Sequence, residues 1–305
     1  MQENTTPTAQ IEAQIPERSV WSERAKSSRK FVGRMWRRHP TMVIGIVILT
    51  LIILMAFMAP LLWTSDPELV TPSQRLHPPD STNWLGTDGL GRDVWSRVVY
   101  GSRISLEVGG AVALASSIVA ILLGLFAGYI RLFDEIIMRI MDALMSIPNI
   151  LLAIALVSIS GGSVPIVIGA ITVTVAPRAV RVVRSQVLSL KEAVYVDAAR
   201  AIGARTSRIV FVHVFPGTIA PMIVTATIIG AGAIVTEAVL SFLGAGTPPE
   251  IPSWGTMMAD GRRTISQAMW VVGFPGLFLT LTVLSVNIIG DNLRDILDPK
   301  LRRSG

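Results

Sequence analysis

Charged side chains are sparse in this sequence, so the places where they gather are where its chemistry has to lie. Asp88, Arg92, Asp93 and Arg97 crowd into one stretch with Gly86, Thr87, Gly89 and Gly91. Carboxylates and guanidinium groups this close can knit a loop together through charge-assisted hydrogen bonds, and the glycines permit a tight backbone path. The glycine spacing is not a phosphate-binding loop, because no Gly-Lys-Ser/Thr follows. A second gathering runs from Lys191 to Pro216. There Tyr195, Ala198, Ala199, Ile202, Ile209, Val210 and His213 recur at helical spacing, Arg200 and Arg208 lie off that stripe, and Gly203 interrupts it. Glu237 stands alone in an apolar surrounding, where a charge costs a few kcal/mol at mid-membrane depth. It either faces a translocation path and meets a substrate amine, or accepts a hydrogen bond from a neighbouring helix. Glu107 and Asp142 are expected to be solvated or paired with Arg103 and Arg139. The chain has no cysteine, and its three histidines, His39, His77 and His213, are scattered. Thiolate catalysis, zinc-thiolate sites and paired-histidine chemistry are thereby excluded, and His39 and His77 are read as surface residues.

The elements that must hold these residues are written in the composition. Of 305 residues, 51% are hydrophobic and 16% charged, against about a quarter charged in a soluble domain. Uncharged runs longer than roughly 18 residues recur, and such runs demand a bilayer. The expected fold is therefore all-α, a polytopic membrane protein with six transmembrane helices. A polar tail over 1–41 lacks the apolar core of a signal peptide and precedes a first span over 42–63. An external loop covers 64–103. A five-helix core over 104–290 follows, with spans at Val108–Ile130, Ile136–Ile159, Val164–Val183, Val214–Thr236 and Ala268–Gly290. The segment 185–216 lies between the fourth and fifth spans, Gly244–Gln267 forms a second external loop, and 291–305 is a charged tail. Gly124 and Gly128, four apart on one helix face, suit close helix packing, and Pro148 and Pro177 are tolerated where neighbours satisfy the freed carbonyls.

Orientation follows from Lys and Arg, which stay on the cytoplasmic side. With the amino terminus inside, 21 of the 27 basic residues fall on cytoplasmic segments. Both termini and the segment 185–216 are thus expected in the cytoplasm. The net charge of +6 needs no nucleic-acid partner; basic cytoplasmic loops meeting membrane lipid account for it.

Asp197-Ala198-Ala199, then Gly203, Ile209 and Phe215-Pro216, resembles the cytoplasmic coupling-loop signature of ATP-binding-cassette importer permeases, with Asp for the usual Glu at 197 and Phe for the common Leu at 215. The stretch Leu85 to Leu106 resembles the block preceding the second span in dipeptide and oligopeptide permeases. Pro252-Ser-Trp-Gly-Thr-Met-Met258 and Asn287 to Lys300 add to a likeness with the C-type permease subunit of peptide/nickel importers, covering nearly the whole chain after about residue 40. The resemblance implies alternating access driven by separate subunits, with no catalysis by this chain. It implies a homologous second permease, two cytoplasmic ATP-binding subunits that hold the ATP and Mg, an extracytoplasmic solute-binding protein, and a peptide-like substrate at the inner membrane. In it Asp197, Ala198, Ala199, Ile202, Gly203, Ile209, Phe215 and Pro216 form the ATPase-coupling loop, with Ala198 and Ala199 allowing close approach, Gly203 bending the chain and Asp197 placed to cap a helix or pair with a base. The alternative from a different class is a self-sufficient secondary transporter or channel, which usually needs polar groups at mid-membrane; these spans are nearly empty of them.

Overall fold

The computed structural model describes residues 40–62 and 64–297. The tail expected over 1–41 lies outside the described residues except at its end, as do His39, Trp63 and the last residues of the C-terminal tail. Internal contacts divide the chain into units 1–43 and 44–305, and the second unit holds the helical bundle. Every regular element described is helical: α1 (Pro40–Phe57), α2 (Val94–Tyr129), α3 (Arg131–Met145), α4 (Asn149–Ser160), α5 (Val164–Leu190), α6 (Val194–Ala201), α7 (Thr206–Phe242), α8 (Trp254–Gly261) and α9 (Trp270–Leu297). Helices α1, α2, α5, α7 and α9 are each long and apolar enough to cross a membrane, and α3 with α4 makes a sixth candidate. The chain is a polytopic all-α membrane protein.

Several boundaries differ from expectation, each for a local reason. The first span stops at Phe57 rather than Trp63. Pro60 has no N–H to return to Ala56, and the free Ala56 carbonyl instead accepts Nε of Arg103 at 2.6 Å. Helix already begins at Val94 within the stretch 64–103 expected as a loop, because the Asp93 carboxylate caps α2 by accepting Ser96 N–H at 2.8 Å. Arg97, Arg103 and Glu107 are therefore helical residues. The expected third span, Ile136–Ile159, is not one straight helix. Pro148 disfavours helical geometry at Ile147, and α3 and α4 meet at 91°. Helix α3 carries Asp134, Glu135, Arg139 and Asp142 and buries only Ile137 and Met141. Arg184 on α5 donates to Asp134 at 2.7 Å. Asp142 pairs with Arg181 on α5 rather than Arg139. Glu107 has no ion-pair partner among the described residues.

The core forms where small residues let helix backbones meet. A Cβ on Gly124 would stand 2.7 Å from Cβ of Val183, and one on Gly128 2.6 Å from Cβ of Val187, so α2 and α5 approach through the pair of glycines visible in the sequence. Gly109 meets Ile234 of α7 in the same way, and Gly45 of α1 lies against the Ser285 carbonyl of α9. With lipid tails as apolar as leucine, this close packing is what holds the bundle together.

Candidate functional site

The segment following α5 folds as a short helix pair. Gly203 has φ +79°, the left-handed conformation that glycine adopts without a Cβ penalty. Its N–H donates to the Arg200 carbonyl at 2.9 Å, and the N–H of Ala204 reaches back to Ala199 at 3.0 Å. These two bonds are a Schellman cap, which closes α6 and reverses the chain. After Arg205 the chain re-enters helix, but Ile209–Val214 is wound as a π-helix in which Phe215 N–H reaches the Val210 carbonyl. Pro216, which has no N–H to give Val212, stands at the join with the α-helical remainder of α7. Val196, Ala199, Ile209 and Val214 are buried in the main core and pin the pair down. Lys191 Nζ donates to the Gly128 carbonyl at 3.1 Å, and a Cβ on Gly217 would stand 2.7 Å from Leu190. The helix pair thus sits rigidly on the ends of α2, α5 and α7.

The apolar stripe expected here divides in two. Ala199 and Ile209 face the core. Ile202 at the bend is 86% exposed, and Val194 is 85% exposed; Ala198, Phe211 and Val212 are also exposed. Asp197 does not cap α6. It accepts Nη1 of Arg200 at 2.9 Å, the pairing expected of it with a base. Arg205 and Arg208 border a shallow depression of about 540 Å³ around Gly203. The result is an exposed apolar ridge flanked by guanidinium groups, held by buried neighbours. Such a ridge can bind a protein surface, and it has no catalytic group.

At the opposite end of α2, the residues of the loop before it form a clasp. Asp88 Oδ2 accepts Nε of Arg92 at 2.6 Å, and Asp260 of α8 accepts Nη2 of Arg92 at 2.7 Å and Nη2 of Arg97 at 3.4 Å. Arg97 is only 1% exposed, so it needs these acids as counter-charges. Thr87 N–H donates to His77, its carbonyl accepts Nε1 of Trp270 at 3.1 Å, and Val94 N–H returns to Gly86. Gly86 and Gly91 both have positive φ, and a Cβ on Gly91 would collide with the Thr71 carbonyl. The loop is therefore a folded cap tied to α8 and α9.

Glu237 lies within α7 at the same end and is fully buried. Its Oε1 accepts from Ser241 at 2.8 Å, Ser253 at 2.8 Å and Thr247 at 3.4 Å, while Oε2 has no partner among the described residues. Ser253 also caps α8 by accepting Thr256 N–H. Glu237 is thus the point at which α7 holds the segment that leads into α8. Sequence reasoning passed over Asp260 and Ser253. Asp260 had a signal, being the only acid between Glu250 and Asp291; Ser253 had one in its position before Trp254-Gly-Thr256, a capping-box spacing.

Residues 120–303 match the family described as binding-protein-dependent transport system inner membrane component, and residues 30–79 match the N-terminal transmembrane domain of oligopeptide transport permease C. The chain is 48% identical over 272 residues to a probable peptide ABC transporter permease protein of Sinorhizobium fredii, covering 89% of this chain and 93% of that one. It is 42% identical over 285 residues to a dipeptide transport system permease protein of Alkalihalophilus pseudofirmus, covering 93% and 91%. It is 42% identical to a glutathione transport system permease protein of Pectobacterium atrosepticum over 276 residues, covering 90% and 91%. This chain, a membrane-spanning bundle matched along most of its length by transport permeases, belongs to the binding-protein-dependent transport system inner membrane component family, the permease subunits of ATP-binding-cassette transporters.

Proposed function

We propose that this chain carries peptides or peptide-like solutes across the bacterial inner membrane as one permease half of an ATP-driven importer. Beside it stand a homologous second permease, two cytoplasmic subunits that bind ATP and Mg, and an extracytoplasmic solute-binding protein. The relatives' names support the solute class, and they differ among dipeptide, peptide and glutathione. Both termini and the α6–Gly203–α7 bend face the cytoplasm, as the distribution of Lys and Arg supports.

The observation that carries the reading is the bend itself. Asp197, Ala198, Ala199, Ile202, Gly203, Ile209, Phe215 and Pro216 make a rigid helix pair with Ile202 exposed at its tip. Exposed apolar anchors on a rigid support are what a protein cleft recognises. ATP-driven closure of the two ATPase subunits would push this pair and, through Lys191, Gly217 and α7, swing the spans about a central path. On the other face, Gly86, Thr87, Asp88, Gly91, Arg92, Asp93 and Arg97 form the cap on which the solute-binding protein rests. Glu237 belongs to the wall that opening exposes, where its free Oε2 can meet a substrate amine.

The test uses the full complex in liposomes, with ATP hydrolysis, retention of the ATPase subunits and peptide uptake followed together. Ile202→Asp is the informative variant, because Ile202 touches solvent, whereas a change at buried Ala199 would disturb the fold. Retention of the ATPase subunits should fall by about tenfold or more, the loss expected of one buried anchor, with uptake lost in parallel. An Ile202→Asp complex that assembles and imports like the wild type rejects the proposal. So does a chain that moves solute down an ion gradient without ATP.

A further inference from the structure

An apolar groove of about 800 Å³ runs along α2 beside α1, α7 and α9, and neither the coupling bend nor the external cap uses it. Its floor is the close approach of α2 and α7. A Cβ on Gly230 would lie 3.4 Å from both Ala113 Cβ and the Gly109 carbonyl. Gly110 and Ala226 also line it, and nothing stands within 4 Å of where a Cβ on Gly110 would be. Ile53 and Phe57 of α1 form a side wall.

The charged groups of the groove all lie at one end and are of both signs. Arg103 and Glu107 are one helical turn apart, both line the groove and both are exposed. Arg103 spends Nε on the Ala56 carbonyl at 2.6 Å and Nη2 on Phe57 at 3.5 Å, which holds its guanidinium at the mouth. Glu107 has no ion-pair partner among the described residues. Side chains on a helix lean toward its amino terminus, so Glu107 leans along α2 toward the turn that carries Arg103. From Arg103 to Ala113 the helix rises roughly 15 Å, half the hydrocarbon thickness of roughly 30 Å. The groove is therefore about as long as one leaflet is deep, polar at the end of Arg103 and Glu107 and apolar along the rest.

We propose that it is a binding site for a phospholipid with a primary-amine headgroup. The phosphodiester would meet Arg103, the ammonium would meet Glu107, and one acyl chain would fill the trough past Gly110 and Ala113. A neighbouring transmembrane helix could fill the trough, but it would not bring an anion and a cation together at one end of an apolar body. A phospholipid of this class does so in one molecule. The site needs only the membrane-spanning fold, not the identity of the solute.

The experiment reconstitutes the full complex in vesicles of phosphatidylethanolamine and phosphatidylglycerol, with a trace of phosphatidylethanolamine bearing a photoreactive acyl chain, and maps the adducts by peptide mass spectrometry. Adducts should concentrate on residues 106–113 and 223–230 over the exposed Leu114, Ile118 and Leu122. Arg103→Gln and Glu107→Gln should each lower groove labelling about two- to fivefold, the worth of a partly exposed ion pair, and Gly110→Phe should abolish it. A photoreactive phosphatidylglycerol probe should be indifferent to Glu107→Gln. Labelling spread evenly over the exposed apolar residues, or unmoved by the two rim substitutions, overturns the proposal. So do crosslinks from the groove to the second permease chain. Uptake of solute is not read, so either result leaves the transport proposal standing.

Discussion

Glu237 illustrates how a single carboxylate can be structural in a membrane helix. Three hydroxyls converge on its Oε1, and one of them, Ser253, also caps α8. Glu237→Leu removes the shared acceptor and leaves those buried hydroxyls without it, a loss of about 1–3 kcal/mol. A lower melting temperature for Glu237→Leu in detergent, with a smaller drop for Glu237→Gln, is expected; equal melting of Glu237→Leu and wild type would contradict this role. Asp80 behaves differently because it is exposed in the loop before α2. Backbone N–H donation from Asn83, then bonds from Thr82, hold its carboxyl below the ordinary carboxylate value. A depressed folded value means that its contribution is present above the unfolded pKa and is lost as the pH falls through the folded one. Proteolysis of the 80–83 turn should accelerate on acidification below the ordinary carboxylate range, and Asp80→Asn should flatten that part of the pH dependence.

At the scale of elements, the glycines decide which helices touch. Gly128 and Gly124 were legible as a spaced pair on one face, but Val187 and Val183 as their partners were not, since spacing reports a face and not a neighbour. Gly128→Val would press two β-branched side chains into one space, an overpacking cost of about 1–3 kcal/mol. Val187→Ala, harmful alone, should recover part of that loss in a double-mutant cycle of melting temperatures; strictly additive effects would show that α2 and α5 do not meet there. The α3–α4 break has a similar lesson. Pro148 was visible, yet a proline within an apolar run reads as a tolerated kink. Pro148 breaks the helix, and what the sequence does not show is where α3 then goes: after the 91° bend it is paired to α5 through Arg184 and Arg181, 50 and 39 positions away.

Across the whole molecule, two worked surfaces sit at opposite ends of α2: the cap tied by Asp88, Arg92, Arg97 and Asp260, and the bend at Gly203. The absence of cysteine makes their placement easy to test. With single cysteines at Asp80 and Ile202, a membrane-impermeant maleimide should label Asp80→Cys in intact cells and Ile202→Cys only after permeabilisation; the reverse pattern would invert the topology. The sequence alone determined that the chain is a multi-span helical membrane protein and the two segments where polar and small residues gather. Those properties are local or additive, since a run of apolar residues needs lipid whatever surrounds it. Tertiary structure decided the rest: that Ala199 is buried while Ile202 is free, that Arg97 is paired with Asp260, and that Gly124 and Gly128 meet Val183 and Val187. Each depends on a partner far along the chain, and burial of a charge or a small residue is decided by that partner rather than by its neighbours in sequence.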